Sequence, residues 1–245
     1  AEIRVLFQRG LLLIKSNGLW TVEMVSSEHG NVFNCEVHSN LESLLLHLPE
    51  KYLVLIDIPI GLPKKESRLC DRLAREKLGP RRSSVFTVPC RDAVYAKNYK
   101  EACHTNLRFL EKKITIQAWN ICPKIRETDL LLQKHPELKE QWLEAHPELA
   151  FQALNHGIPL SYPKKKPEGF LERLNLIKNF HKNIKRWFQQ NRKIFSPQTA
   201  ASDDFLDAFA LCLAASGIPD EIDFLPAEPI NDEKGLPMQI CHPRF

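Results

Sequence analysis

The sequence predicts an α/β protein with a mixed central sheet flanked by helices, in which an antiparallel three-stranded meander is joined to parallel strands. Three observations predict it. Leu11 to Ile14, Leu19 to Val25 and Val32 to Val37 are short β-rich runs, and Asn17-Gly18 and His29-Gly30-Asn31 between them are turn signals, so the three read as a meander. Tyr52 to Ile58 is a mostly apolar, partly β-branched run with Pro49 and Pro59 on its flanks, which suits a buried, parallel strand. Stretches of helical periodicity separate and follow these runs.

Between the meander and the apolar strand, Leu41 to Leu48 is apolar at helical spacing. Glu66 to Leu78 is the next helix, stopped by Gly79. From Arg91 to about Leu132 helical patterns alternate, punctuated by Pro123, and this segment is expected as a helical insertion at roughly 91–132 within one domain spanning 1–245. Glu168 to Gln190 places Phe170, Leu174, Ile177, Ile184 and Trp187 on one stripe, which predicts a long amphipathic helix with a basic opposite face. Asp204 to Ala215 is an apolar helix with Ser202 as its N-cap and Gly217 and Pro219 as its stop. Ile222 to Leu225 and Met238 to Ile240 are expected as short strands with a polar, proline-rich loop between them. A doubled His-Pro-Glu-Leu at His135 and His146 is too local to signal a repeat architecture.

A chain of 245 residues is long enough to bury a sizeable core. The formal charge of +4 and pI near 8.6 permit a polyanionic partner but fall short of a dedicated, strongly basic nucleic-acid-binding domain. Seven scattered cysteines with no C-x-x-C pair fit reduced thiols rather than a disulfide framework or a zinc site. No run approaches the roughly 18 apolar residues that a membrane span needs, so no membrane partner is expected and a cytoplasmic location is the default. Oligomeric state is not encoded in any motif.

The candidate chemistry lies in the acids. Asp57 stands at the end of the apolar run, and Pro59 and Gly61 turn the chain at once, so a strand delivers a carboxylate and then breaks. Far along the chain, Asp203, Asp204 and Asp207 open the last helix; Asp204 and Asp207, three apart, share a face. Hydrolysis of a phosphodiester needs an activated water and a sink for charge on the leaving oxygen, and divalent metals bridged by carboxylates supply both. Hard Mg²⁺ or Mn²⁺ takes oxygen ligands, which Asp57, Asp204 and Asp207 would provide. The same residues have plainer roles: Asp57 as a turn cap, and Asp203 and Asp204 as acids favoured at a helix N-terminus.

Glu144-Ala145-His146-Pro147-Glu148 concentrates three proton-transfer or ligating side chains, and in an extended segment Glu144, His146 and Glu148 would share a side. His146 is a candidate catalytic residue and Glu148 a candidate ligand; packing and helix capping are their alternatives. Arg81, Arg82, Ser83 and Ser84 follow Gly79-Pro80 and suit a phosphate-gripping loop, or else an ion-paired one. Lys165, with Lys164 and Lys166, and the run Lys178, Lys182, Lys185, Arg186, Arg192 and Lys193 form a candidate backbone footprint, for which a solvated helix face is the alternative.

Several segments in one order carry a family resemblance: Ile56-Asp57-Ile58-Pro59-Ile60-Gly61-Leu62, Gly79-Pro80-Arg81-Arg82-Ser83-Ser84-Val85-Phe86, Gln117-Ala118-Trp119, Pro123-Lys124-Ile125-Arg126-Glu127, Glu144 to Phe151, Asp203 to Ala208 and Gly235 to Ile240. The chain resembles the predicted RNase H-like nucleases, a family of unknown function. The resemblance implies an RNase H-like fold and a metal-dependent nuclease acting on DNA or RNA, with Mg²⁺ or Mn²⁺ as cofactor. It also implies an acid on the first strand, one at the end of the central strand and one or two on a late helix. Asp204-Phe205-Leu206-Asp207-Ala208 is similar to the last acidic motif of Holliday-junction resolvases, where both aspartates face metal.

The first-strand stretch, Leu12 to Trp20, contains no acid. Three readings follow: a degenerate, nucleic-acid-binding module without catalysis, a remodelled site that recruits Glu144 or Glu148, or an N-terminal segment that departs from the natural one.

Overall fold

The computed structural model describes residues 8–14, 18–27, 30–38, 40–48, 52–191, 202–215 and 222–244; side chains are described at 38, 40–48, 52–187, 189–190, 203–215 and 222–244. Asn17, His29, Gly217, Pro219, Arg192 and Lys193, singled out above, lie outside the described residues.

The meander is present. β1 (Gln8–Ile14), β2 (Gly18–Ser27) and β3 (Gly30–His38) run antiparallel in sequence, with Leu12 opposite Trp20 and Val22 opposite Cys35. α1 (Leu41–Leu45) starts at a capping box, in which the Ser43 amide donates to Asn40 Oδ1 at 2.7 Å while the Ser43 hydroxyl faces the Asn40 amide. β4 (Val54–Ile56) is shorter than the apolar run that predicts it and pairs parallel with β1, Leu55 opposite Gly10.

The helical middle follows. α2 (Leu69–Leu78) ends at Gly79, whose φ of 52° is the left-handed region that glycine adopts without a Cβ penalty, and a 3-10 turn spans Gly79–Ser84. The stretch expected over 91–132 is helical: α3 (Arg91–Val94), α4 (Tyr99–Leu110), capped by Asn98, and α5 (Ile116–Lys134), capped by Thr115. Pro123 lies inside α5 and does not end it, because Ala118, Cys122, Ile125 and Thr128 hold one side of the helix in the interior. β5 (Trp142–Glu144) precedes α6 (Pro147–Leu154).

The long helix expected over 168–190 is two helices. α7 (Pro167–Phe180) and α8 (Ile184–Asn191) are separated at His181, whose φ of −136° and ψ of 92° are extended. α9 (Ser202–Ala215) follows, and β6 (Ile222–Asn231) pairs with β7 (Pro237–Pro243) in a two-stranded sheet. β6 runs through Pro226 and Pro229, where a loop was expected. In a two-stranded sheet every strand has an unpaired edge, which tolerates proline.

The chain forms two compact units, residues 1–57, 145–222 and 242–245 in the first and 58–144 with 223–241 in the second. In the first, α9 packs against β1, β2 and β4 and against α6 and α7, burying Phe205, Leu206, Phe209, Leu211 and Leu213. In the second, Cys90, Ala93, Ala102, Cys103, Leu110 and Ile114 form a cluster capped by Phe109 and Trp119. Among the residues whose side chains are described, six cysteines are buried and free, in line with the expected thiols. No helix among the described residues is long and apolar enough to cross a membrane.

Candidate acidic site

The site is built in the first unit, where β4 ends. Asp57 follows Ile56 directly and is half-buried, and the Ala145 amide donates to the Ile56 carbonyl at 2.9 Å, which seats the start of the His146 segment beside it. The first two turns of α9 bring Asp203, Asp204 and Asp207. Asp207 is 2% exposed because it lies on a helix whose next residues, Ala208 to Ala215, are all buried.

The carboxylates gather around one ammonium. Lys164 Nζ is 2.6 Å from Asp207 Oδ2, 3.7 Å from Asp204 Oδ1 and 3.8 Å from Asp203 Oδ2. Burial disfavours the Lys164 charge, but Asp207, Asp204 and Asp57 outweigh it and hold the ammonium above the ordinary lysine range. Burial pushes the Asp207 carboxyl up to about 6, with Lys164 opposing the rise and Asp204 adding to it. Asp207 Oδ1 is buried without a hydrogen-bond partner among the described residues.

Lys164 is held in place by α7. Glu172 accepts from the Ser161 and Tyr162 amides at 2.8 and 3.1 Å, and Arg173 Nη1 donates to the Tyr162 carbonyl at 3.2 Å. Gly169 lies so close to Pro163 that a Cβ there would stand 2.1 Å from the Pro163 carbonyl oxygen. Arg173 itself is fully buried, with Nη2 2.7 Å from Glu148 Oε2 and Nη1 2.9 Å from the Gly169 carbonyl.

The 144–148 segment is not one extended strand. Helix α6 begins at Pro147, so His146 is its N-cap, with Nδ1 accepting from the Glu148 amide at 3.2 Å, and Glu148 sits in the first turn facing Arg173. Glu144 belongs to the second unit, where its carboxylate takes Arg68 Nη1 and Nη2 and the Ile60 amide, while Arg68 also pairs with Asp71. Every hydrogen bond in that set serves the chain itself.

Of the expected residues, then, the structure brings Asp204 and Asp207 within 4 Å of one cation, which Asp57 also favours by its charge, and pairs Glu148 with the arginine that fixes that cation's loop. Lys165 is exposed. Arg81, Arg82, Ser83 and Ser84 form a turn of the second unit, with Arg82, Ser83 and Ser84 exposed and the Ser84 hydroxyl donating to the Arg81 carbonyl at 2.8 Å. Lys164, expected only as part of a phosphate-backbone footprint, lies instead among the acids, and Arg173 was not expected at the site. Nothing local distinguishes Lys164 from Lys165 and Lys166, but Arg173 had a signal: it falls three after Phe170 and four before Ile177, a charge on the apolar stripe.

Among the described residues no group of three or more His, Cys, Asp or Glu side chains is arranged to hold a metal ion, since a lysine stands among these acids. The oxygens are of the kind a hard divalent cation takes, but they converge on an ammonium; Asp207 Oδ1 is buried and has no hydrogen-bond partner among the described residues.

Fold and site define a mixed α/β protein with a lysine-centred acidic cluster at the end of strand β4. The chain belongs to the family described as "Protein of unknown function (DUF429)", which matches residues 15–230. No curated protein matches the chain, and no solved structure does.

Proposed function

We propose that this protein is a metal-dependent phosphodiester hydrolase acting on nucleic acid, on an RNase H-like fold. The observation that carries the reading is the gathering of Asp204 and Asp207, from α9, around a single cation whose charge is also favoured by Asp57, from the end of β4. Support for the fold comes from the antiparallel meander β1–β2–β3 with β4 parallel to β1. Asp57, Asp204 and Asp207 would hold Mg²⁺ or Mn²⁺, and the ion would lower the pKa of a bound water and neutralise charge on the phosphate.

The chain's own residues have separate tasks. The Lys164 ammonium keeps Asp207 ionised despite its burial. His146 lies at the N-terminus of α6 on the segment anchored to Ile56, where it is the candidate proton carrier. Glu148 acts through Arg173, as a positioning residue. Exposed Lys165 and the Arg81, Arg82, Ser83 and Ser84 turn offer contacts to a phosphate backbone.

The test is Mn²⁺-dependent cleavage of single- and double-stranded DNA and RNA. Asp207→Asn is expected to lower the rate by at least about 100-fold with its fold intact, and Asp57→Asn likewise. Cleavage by Asp207→Asn at the parent rate would remove Asp207 from the mechanism.

Two observations favour a second reading, a catalytically silent nucleic-acid-binding module. Lys164 already neutralises part of the cluster, and Leu12 to Trp20 carries no acid. Salt-sensitive binding without turnover on any strand type is its signature.

A further inference from the structure

We propose that the outward face formed by the end of α7 and by α8 docks single-stranded nucleic acid, with Lys178, Lys182, Lys185 and Arg186 holding the phosphate backbone and Phe180 stacking a base. The proposal rests on the nucleic-acid part of the reading above and involves no metal ion. Its first support is the segregation of charge. Leu174 to Ser202 contains six of the 34 Lys and Arg and none of the 30 Asp and Glu, so without this stretch the chain would carry more acids than cations. The acids that bound the stretch are engaged elsewhere: Glu172 accepts from the Ser161 and Tyr162 amides at 2.8 and 3.1 Å, and Asp203 stands 3.8 Å from Lys164. A field of one sign, unrelieved by acids along its own helix, attracts a polyanion.

The helix is attached by one side and presents the other. Ile184 is fully buried, and the Trp187 ring stacks on Phe205, centroids 5.0 Å apart, and meets Phe209 edge-on at 6.0 Å. Lys182, Lys185, Arg186, Gln189 and Gln190 are exposed on the opposite side, as the helical period requires. Phe205 directly follows Asp204 on α9, so the ring that anchors α8 belongs to the same helical turn as the acids, and a strand lying on α8 passes beside the acidic cluster.

Two features select the partner. A basic amphipathic helix on a membrane buries its apolar side in lipid. The apolar side of α8 is already covered by α9, which leaves charges and amides outward. Phe180, 48% exposed, closes α7 between Lys178 and Lys182 in sequence. A duplex keeps its base faces inside the stack, whereas an unpaired base can stack on such a ring.

The experiment is fluorescence anisotropy of the parent chain with a labelled thymidine homopolymer of about twenty nucleotides and with a hairpin duplex of the same total charge, in EDTA so that nothing is cut. The parent is expected to bind the single strand at least about fivefold more tightly than the duplex. Lys182→Gln, Lys185→Gln and Arg186→Gln together should weaken single-strand binding about tenfold or more and flatten the slope of log affinity against log salt by more than about one unit. Phe180→Leu should weaken it at least about fivefold and leave the slope unchanged, because stacking releases no counterions. All four positions are exposed, so the circular dichroism of the variants should match the parent's. In the parent itself, bound homopolymer should slow the acetylation of Lys178, Lys182 and Lys185, read by mass spectrometry, and leave that of Lys100, exposed on α4, unchanged; this measurement needs no variant.

Binding by the triple variant at the parent's affinity, a duplex bound as tightly as the single strand, or acetylation of the three lysines unaffected by the homopolymer would each overturn the proposal and leave the nucleic-acid reading standing. No binding of either nucleic acid by the parent would end both, and binding of phosphatidylserine vesicles in its place would assign the face to lipid.

Discussion

Arg173 is a buried guanidinium with one carboxylate partner, and its worth is best judged by what is left when it goes. Arg173→Met would remove the Arg173–Glu148 ion pair in a buried setting and release the Tyr162 and Gly169 carbonyls, so a loss of about 3–5 kcal/mol in urea denaturation is expected. Glu148→Gln keeps shape and one acceptor and should cost less, about 1–3 kcal/mol. Equal losses would mean that the pair, not the guanidinium's hold on the loop, is what matters. Asp207 makes a pH prediction. Its folded pKa of about 6 lies above an ordinary aspartate's 3.8, so between those values the native state binds the proton that the unfolded chain releases. The resulting stabilisation is fully present below about pH 3.8 and is lost as pH rises through 6, up to about 3 kcal/mol at 1.36 kcal/mol per unit. Asp207→Asn cannot titrate, and its unfolding free energy, compared with the parent's from pH 4 to 7, should lack that component. Parallel curves for the two proteins would show that Asp207 does not change its proton affinity on folding.

Elements were legible where a local device marks them and not where a partner decides. The Gly79 stop is a device written at a single position, and α2 ends where the sequence places it; the Asn40, Asn98 and Thr115 caps are local devices of the same kind, although the sequence predicts α4 and α5 only as alternating helical patterns over about 91–132. The break at His181 has no such marker; it separates the buried Leu174 and Ile177 of α7 from the α8 face on which Trp187 stacks against Phe205, centroids 5.0 Å apart. α6 starts at Pro147, two residues before the Leu149 expected for a helix capped by Glu148, and proline at a first helical position is itself a start signal. α7 also carries a close approach that only glycine permits. Gly169→Ala would place a methyl 2.1 Å from the Pro163 carbonyl oxygen and 2.7 Å from its carbon, and a backbone neighbour has no rotamer by which to escape. The variant should keep its helical circular dichroism, lose about 1–3 kcal/mol, and show faster acetylation of Lys164, because the 161–166 segment must move outward. Unchanged stability and labelling would mean that the segment gives way freely and does not position the lysine.

Across the whole chain, opposite charges are spent on each other more than the total suggests. Lys and Arg number 34 against 30 acids, but Arg68, Arg91 and Arg173 are buried in ion pairs and Lys164 is committed to the acidic cluster. This also explains what was legible in the candidate site. Asp57 and Asp207 announce themselves by interrupting apolar runs, whereas the cation they surround is one lysine of three in a row, selected by contacts some forty residues away in sequence. The cations left for a polyanion include exposed Arg82, Lys165, Lys166, Lys182, Lys185 and Arg186, a modest set on a chain of formal charge +4. Each phosphate neutralised contributes roughly −0.7 to −0.9 to the slope of log affinity against log salt. With two or three phosphates engaged, that slope should lie near −2, so that binding to a nucleic acid weakens about tenfold between 50 and 200 mM salt. Fluorescence anisotropy with a labelled oligonucleotide, run without divalent metal so that nothing is cut, measures it. Lys165→Gln paired with Lys166→Gln should flatten the slope by more than one unit if the lysines beside the acidic cluster carry the contact. An unchanged slope would assign the contact to the Arg82 turn or to α8, and a slope steeper than about −5 would require a cationic surface larger than these six residues provide.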